Sequence, residues 1–85
     1  MVLKVFTKED NPQTEEALLL AKELEDDDQT VEYYDLDEAN THQLAEIFEI
    51  FSSPSFVVTQ DDGREVYVWR GEIPASGDLK NFLQL

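Results

Sequence analysis

Short β-branched and aromatic runs alternate with amphipathic stretches along the whole chain, and this alternation constrains the fold most. Residues 2–7, Val-Leu-Lys-Val-Phe-Thr, set strand formers around one lysine and predict a mostly buried strand. Asn11 then precedes Pro12. An asparagine side-chain oxygen accepts a first-turn N–H, and proline suits the first helical position, so a helix is expected to start here with Asn11 as its N-cap. Glu15 and Glu16 place negative charge in the first turn, where the dipole favours it. Ala17, Leu18, Leu20, Ala21 and Leu24 recur at helical spacing and predict the buried face. Glu23, Glu25, Asp26, Asp27 and Asp28 oppose the dipole at the other end, so fraying is expected near Glu25.

Thr30 to Leu36 alternates and predicts a second strand. Asp37 to Thr41 reads as a turn. Residues 42–51 carry Leu44, Ile47, Phe48 and Phe51 at helical spacing, a second amphipathic helix stopped by Ser52-Ser53-Pro54. Ser55 to Thr59 predicts a third strand. Gln60-Asp61-Asp62-Gly63 is a hairpin turn, because Asp-Gly supplies the positive φ such a turn needs. Arg64 to Trp69 then forms a fourth strand antiparallel to the third. Gly71 and Pro74 mark a loop, and residues 76–84, with Leu79, Phe82 and Leu83, predict a last short helix. The order β-α-β-α-β-β-α in 85 residues reads as a single domain, 1–85.

Charge narrows the function classes. Twenty acidic residues face six basic ones, a net charge of −14. A nucleic-acid binder needs a basic stripe to displace counterions, and an anionic membrane attracts cations, so neither partner is expected. There is no cysteine and one histidine, His42, which excludes thiolate chemistry, disulfides and cysteine-ligated metals. The acidic run lacks the glycine and ligand spacing of a calcium loop, so no metal is expected. No cofactor is expected either. The first residues are too soon polar for a signal peptide and no stretch reaches a membrane span. A cytoplasmic chain, monomeric or weakly dimeric, is the expectation.

Three segments carry a family resemblance. Phe6-Thr7-Lys8-Glu9-Asp10-Asn11-Pro12-Gln13-Thr14 resembles the glutaredoxin stretch Phe-Ser-Lys-x-x-Cys-Pro-x-Cys and, like it, follows the first strand and opens the first helix. Ser53-Pro54-Ser55, at the start of the third strand, resembles the segment whose proline is cis in these proteins. Gly71-Glu72-Ile73-Pro74 followed by Leu79-Lys80-Asn81-Phe82-Leu83 is similar to the thioredoxin C-terminal segment. Together they resemble the glutaredoxin and thioredoxin families over the whole chain. The resemblance implies a thioredoxin-like three-layer α/β/α fold with a four-stranded mixed sheet and a cis peptide bond at Pro54. It also places Asn11 and Thr14 where the redox cysteines would be. Thiol–disulfide exchange proceeds by thiolate attack on sulfur, which an amide or a plain hydroxyl cannot perform, so the chain is expected not to be a thiol oxidoreductase.

The resemblance further implies that a peptide-binding surface could outlive the chemistry. In the redox-active relatives an extended substrate lies beside the helix N-terminus and pairs with the main chain before the cis-proline, a form of strand addition. The candidate binding residues are therefore Lys8, Asn11, Pro12, Gln13, Thr14, Ser53, Pro54 and Gly71, with Trp69 as an edge anchor. Capping is the competing role for Asn11 and Thr14, and core packing the competing role for Trp69. The first functional expectation is a redox-inactive protein- or peptide-binding or regulatory module. The second is an acidic decoy that binds a basic protein surface by charge. The third is weak glutathione binding: Lys8 matches a position that holds a glutathione carboxylate, but Arg70-Gly71-Glu72-Ile73 replaces the Gly-Gly-x-Asp element that grips the other end.

Overall fold

The computed structural model describes every residue from Met1 to Leu85. Strand β1 is Val2–Thr7, helix α1 Thr14–Asp26, and strand β2 Thr30–Asp35. A 3₁₀ turn at Ala39–Thr41 leads into helix α2, His42–Ile47. Strands β3 (Ser55–Thr59) and β4 (Glu65–Trp69) form the hairpin, and helix α3 is Ser76–Leu83. The sheet order is β2-β1-β3-β4, with β1 parallel to β2 and antiparallel to β3, and β3 antiparallel to β4.

Side-chain alternation divides the core between the two faces of this sheet. Leu3, Val5, Phe56, Val58 and Trp69 pack with Ala17, Ala21 and Leu24 of α1 and with Leu79 and Leu83 of α3. Phe6 and Val57 face the other way and pack with Leu36, Ala45, Phe48 and Ile50 on and around α2. The result is three layers, with every residue of β3 buried. Trp69 is 7% exposed and meets Tyr67 and Phe82 at 4.7 and 5.4 Å between ring centroids, so it is a core residue and not an edge anchor. Tyr67 stacks on Phe82 at 4.5 Å.

Helix α2 departs most from the periodicity. It ends at Ile47, with Glu49 in the left-handed region at φ 56°. Ile47 and Phe51, expected on the buried face, are 68% and 83% exposed, while Ile50 turns inward. The Ile50 N–H donates to Ala45 O at 2.8 Å and the Glu49 N–H to Glu46 O at 3.1 Å, the paired bonds of a Schellman ending. Arg70 donates to Phe48 O at 2.8 Å and to Glu49 O at 3.1 Å, putting a cation on the negative end of the helix. Burying Ile50 against Phe6 and Val57 requires this early stop.

Helix α1 also holds to its end, through Asp26, where fraying was expected. Asp28 adopts φ 67°, and the Gln29 and Asp28 N–H groups bond Leu24 O and Glu25 O at 3.1 and 3.0 Å. Lys80 of α3 lies 3.7 Å from both Glu23 and Asp27, and Lys22 lies 3.2 Å from Asp26. These cations offset the unfavourable carboxylates.

On the α2 side of the sheet, Lys4 and Glu32 are register partners on β1 and β2. The Lys4 ammonium donates to Glu32 Oε1 at 2.5 Å, and the Tyr34 hydroxyl donates to the same oxygen at 2.6 Å. Those hydrogen bonds, Lys4's first, hold the Glu32 carboxyl below its usual pKa of 4.5 against the opposing effect of burial. Burial works against the Lys4 charge, but Glu32 and Tyr34 outweigh it and its pKa is raised above 10.5.

Both the α1 terminus and the Lys4–Glu32 pair are open to measurement. Asp28→Gly removes left-handed strain and one carboxylate from the end of α1, and should raise stability by about 0.5–1 kcal/mol in denaturant titration. Glu32's lowered pKa stabilises the fold above the unfolded carboxyl pKa, and this contribution is lost as pH falls through the folded value. Melting temperatures of wild type and Glu32→Gln should therefore differ at neutral pH and converge in acid.

Candidate functional site

Asn11 sits where the chain leaves β1 and turns toward α1. Its Oδ1 accepts the Gln13 N–H at 2.7 Å, and its Nδ2 donates to both the carbonyl and the hydroxyl of Ser53 at 3.0 Å. These partners fix which end of the amide is which. Asn11 is thus not the N-cap of α1, which is assigned from Thr14 with Gln13 before it. It caps a tighter turn ahead of the helix, in which the Thr14 N–H meets Asn11 O at 3.1 Å and the Asn11 N–H meets Lys8 O at 3.2 Å. The Thr14 hydroxyl closes the same loop by donating to Lys8 O.

The Ser53–Pro54 peptide bond is cis, and Pro54 is buried. The Ser53 N–H has no acceptor within the chain, whereas its carbonyl already accepts from Asn11. Ser55 extends the loop's support: its hydroxyl donates to Ser52 O at 2.7 Å and accepts the Gly71 N–H at 3.1 Å. Gly71 has φ 69°, a conformation that favours glycine, and a Cβ there would lie 2.8 Å from Ser52 Oγ, so that side chain would have to move. Lys8, Asn11, Thr14, Ser53, Pro54 and Gly71 are thereby joined around one loop. Pro12 and Gln13 are exposed at its rim.

A groove of about 360 Å³ opens beside this loop, lined by Lys8, Leu36, His42, Ala45, Glu46, Ile50 and Phe51. Lys8 and Phe51 belong to the segments that carry Asn11 and Ser53. His42 Nε2 lies 3.1 Å from Leu36 O, which orients the ring at the groove wall. The exposed Phe51 adds an apolar side chain to the groove; helical spacing had assigned it, and the exposed Ile47 of α2, to the core. Pro54 signalled that the helix must stop, but the turn that exposes Phe51 depends on Arg70, which sequence reasoning did not single out. No group of three or more histidine or acidic side chains is disposed to hold a metal ion, and no helix is long and apolar enough to cross a membrane.

Asn11 tests this arrangement directly. Asn11→Ala should cost about 1–3 kcal/mol, because it leaves the Gln13 N–H and the Ser53 carbonyl without their partner. Asn11→Asp keeps the cap but sets a carboxylate against the Ser53 carbonyl. That raises the folded pKa of the new acid, so its destabilisation should be largest at neutral pH and shrink as the group protonates in acid. Paired denaturant titrations at pH 7 and near pH 4 read both effects.

No family model matches the sequence, and no curated protein matches it. Solved structures do. An uncharacterized thioredoxin-like protein from Clostridium perfringens superposes over 98% of this chain and 68% of its own, with TM-score 0.78 and 20% identity. Thioredoxin 1 from Thermosipho africanus TCF52B covers 99% of this chain and 91% of its own, with TM-score 0.66 and 14% identity. A designed protein matches at TM-score 0.70 and 24% identity, over 98% of this chain and 72% of its own. At these identities the likeness speaks to fold, and it agrees with the layer order and strand order derived above: the chain has the thioredoxin-like fold and carries no cysteine pair.

Proposed function

We propose that this chain is a redox-inactive thioredoxin-like domain that binds a protein or peptide partner in the groove beside the cis-proline loop. The observation that carries this reading is Phe51, which lines that groove and is 83% exposed; Ile47 of α2 is exposed as well, at 68%. Large apolar side chains exposed at a concavity favour association, because docking removes their surface from water. The free Ser53 N–H supplies a main-chain donor beside them. Asn11 and Thr14 spend their polar groups on Ser53, Gln13 and Lys8, so they act here as loop fasteners and not as chemical groups. With no thiolate available, thiol–disulfide exchange is outside the proposed role. Glutathione is a poor fit for the same loop, because Arg70-Gly71-Glu72-Ile73 stands where the element that grips its other end would be.

The test is a peptide selected from a display library against the immobilised domain, followed by titration of wild type and Phe51→Ser/Ile47→Ser. The double variant should weaken binding by tenfold or more, about 1.4 kcal/mol, with unchanged circular dichroism. Affinity should depend weakly on salt. Binding that survives the double change and collapses with added salt would instead mean attraction to the acidic surface, and would sink the groove reading.

A further inference from the structure

The largest cavity of the molecule lies elsewhere, along the outer edge of β2. It measures about 800 Å³ and is lined by Leu18 and Lys22 of α1, Thr7, Tyr33, Tyr34, Asp35, and Glu38, Asn40 and Thr41 of the following turn. Strand β2 is an edge strand with β1 on one side only. The Leu36 N–H bonds Thr7 O at 2.8 Å, so Leu36 and Tyr34 direct their main chain inward. By alternation, Tyr33 and Asp35 direct theirs outward, along the cavity. The Asp35 carbonyl is taken by the Glu38 N–H at 3.1 Å, which leaves the Tyr33 N–H and carbonyl and the Asp35 N–H open for pairing.

Two further features bear on the occupant. Thr41 is only 4% exposed, yet its hydroxyl has no partner in the chain and it lines the cavity. The hydroxyl still reaches solvent in the cavity, so an occupant can bond it in place of water. The charges are unbalanced: Asp35 and Glu38 have no cationic partner, while Lys22, the one cation on the wall, is held by Asp26 at 3.2 Å and Glu25 at 3.8 Å. Tyr33, 45% exposed, adds an aromatic face on which a cationic side chain can rest.

We propose that this edge of β2 is a second docking site, which takes an extended peptide strand bearing basic side chains. The strand adds to the sheet beside β2 through the open groups of Tyr33 and Asp35. Its cations meet Asp35, Glu38 and Tyr33, and a polar group meets Thr41. The net charge of −14 disfavours a second copy of this chain in the same place. The site shares none of its lining with the groove beside the cis-proline loop, so the two readings stand or fall separately.

Amide NMR of the isotope-labelled chain, titrated with a short capped peptide of alternating valine and lysine, tests the proposal. Shifts should centre on Tyr33, Asp35 and Thr41. The double change Asp35→Asn/Glu38→Gln should weaken binding by about three- to tenfold. Its new asparagine retains a side-chain oxygen to accept the Asp37 N–H, so the turn after β2 is kept. Thr41→Val should also weaken binding, and N-methylation of the peptide main chain should abolish it. The proposal is overturned if shifts fall at Phe51 or β4 instead, or if a valine–glutamate peptide binds equally well. It is equally overturned if N-methylation changes nothing, if titration only drives self-association, or if no shift appears at about millimolar peptide.

Discussion

Strand β3 is buried along its whole length, and everything else in the molecule answers to that. Phe56 and Val58 point to one side and Val57 to the other, so a cover is required on both faces. A chain of 85 residues has three helices with which to build those covers. Two of them, α1 and α3, share one face; the short α2 and its flanking residues serve the other. The economy of α2 explains the site. A six-residue helix covers the Phe6 and Val57 end of the sheet, and its tail must then fold inward through Ile50. That inward turn exposes Ile47 and Phe51 and delivers the chain to the cis-proline loop from the correct side.

Polar side chains hold the covers in place at their ends. Asn11 ties the start of α1 to the loop that begins β3, Ser55 ties that loop to Gly71 after β4, and Arg70 ties β4 to the end of α2. Each tie links segments far apart in sequence, and each sits at a helix terminus or a strand end where main-chain groups lack regular partners. Surface ion pairs such as Lys22–Asp26 add little singly. Lys80 matters more by position, because it faces two carboxylates at the end of α1 from the neighbouring helix.

The element order, the hairpin turn and the break before Pro54 were legible because each rests on a local signal: strand formers, Asp-Gly, proline. The start of α1 was less so. Asn11 satisfied the rule for a helix cap, but its amide has two ends, and the second found Ser53, so the helix proper begins at Thr14. Phe51 misled for a similar reason. Its spacing from Phe48 fits a continued helix, and only the burial of Ile50 and the grip of Arg70 end the helix earlier. Trp69 resisted assignment because a hairpin strand shows either face to the core depending on what packs there; Phe82 decided it.

What the sequence alone determined is the kind of chain: its charge, its lack of thiols, its alternation of strands and helices, and the positions of glycine and proline. These are properties of residues and their near neighbours, so local chemistry suffices to read them. The tertiary structure decided which side chains became fasteners and which surfaces stayed open. Asn11 reaching Ser53, Ile50 displacing Phe51 from the core, and β2 left without an outer neighbour are all outcomes of long-range packing. No local pattern encodes them, because each depends on which distant segment arrives beside it.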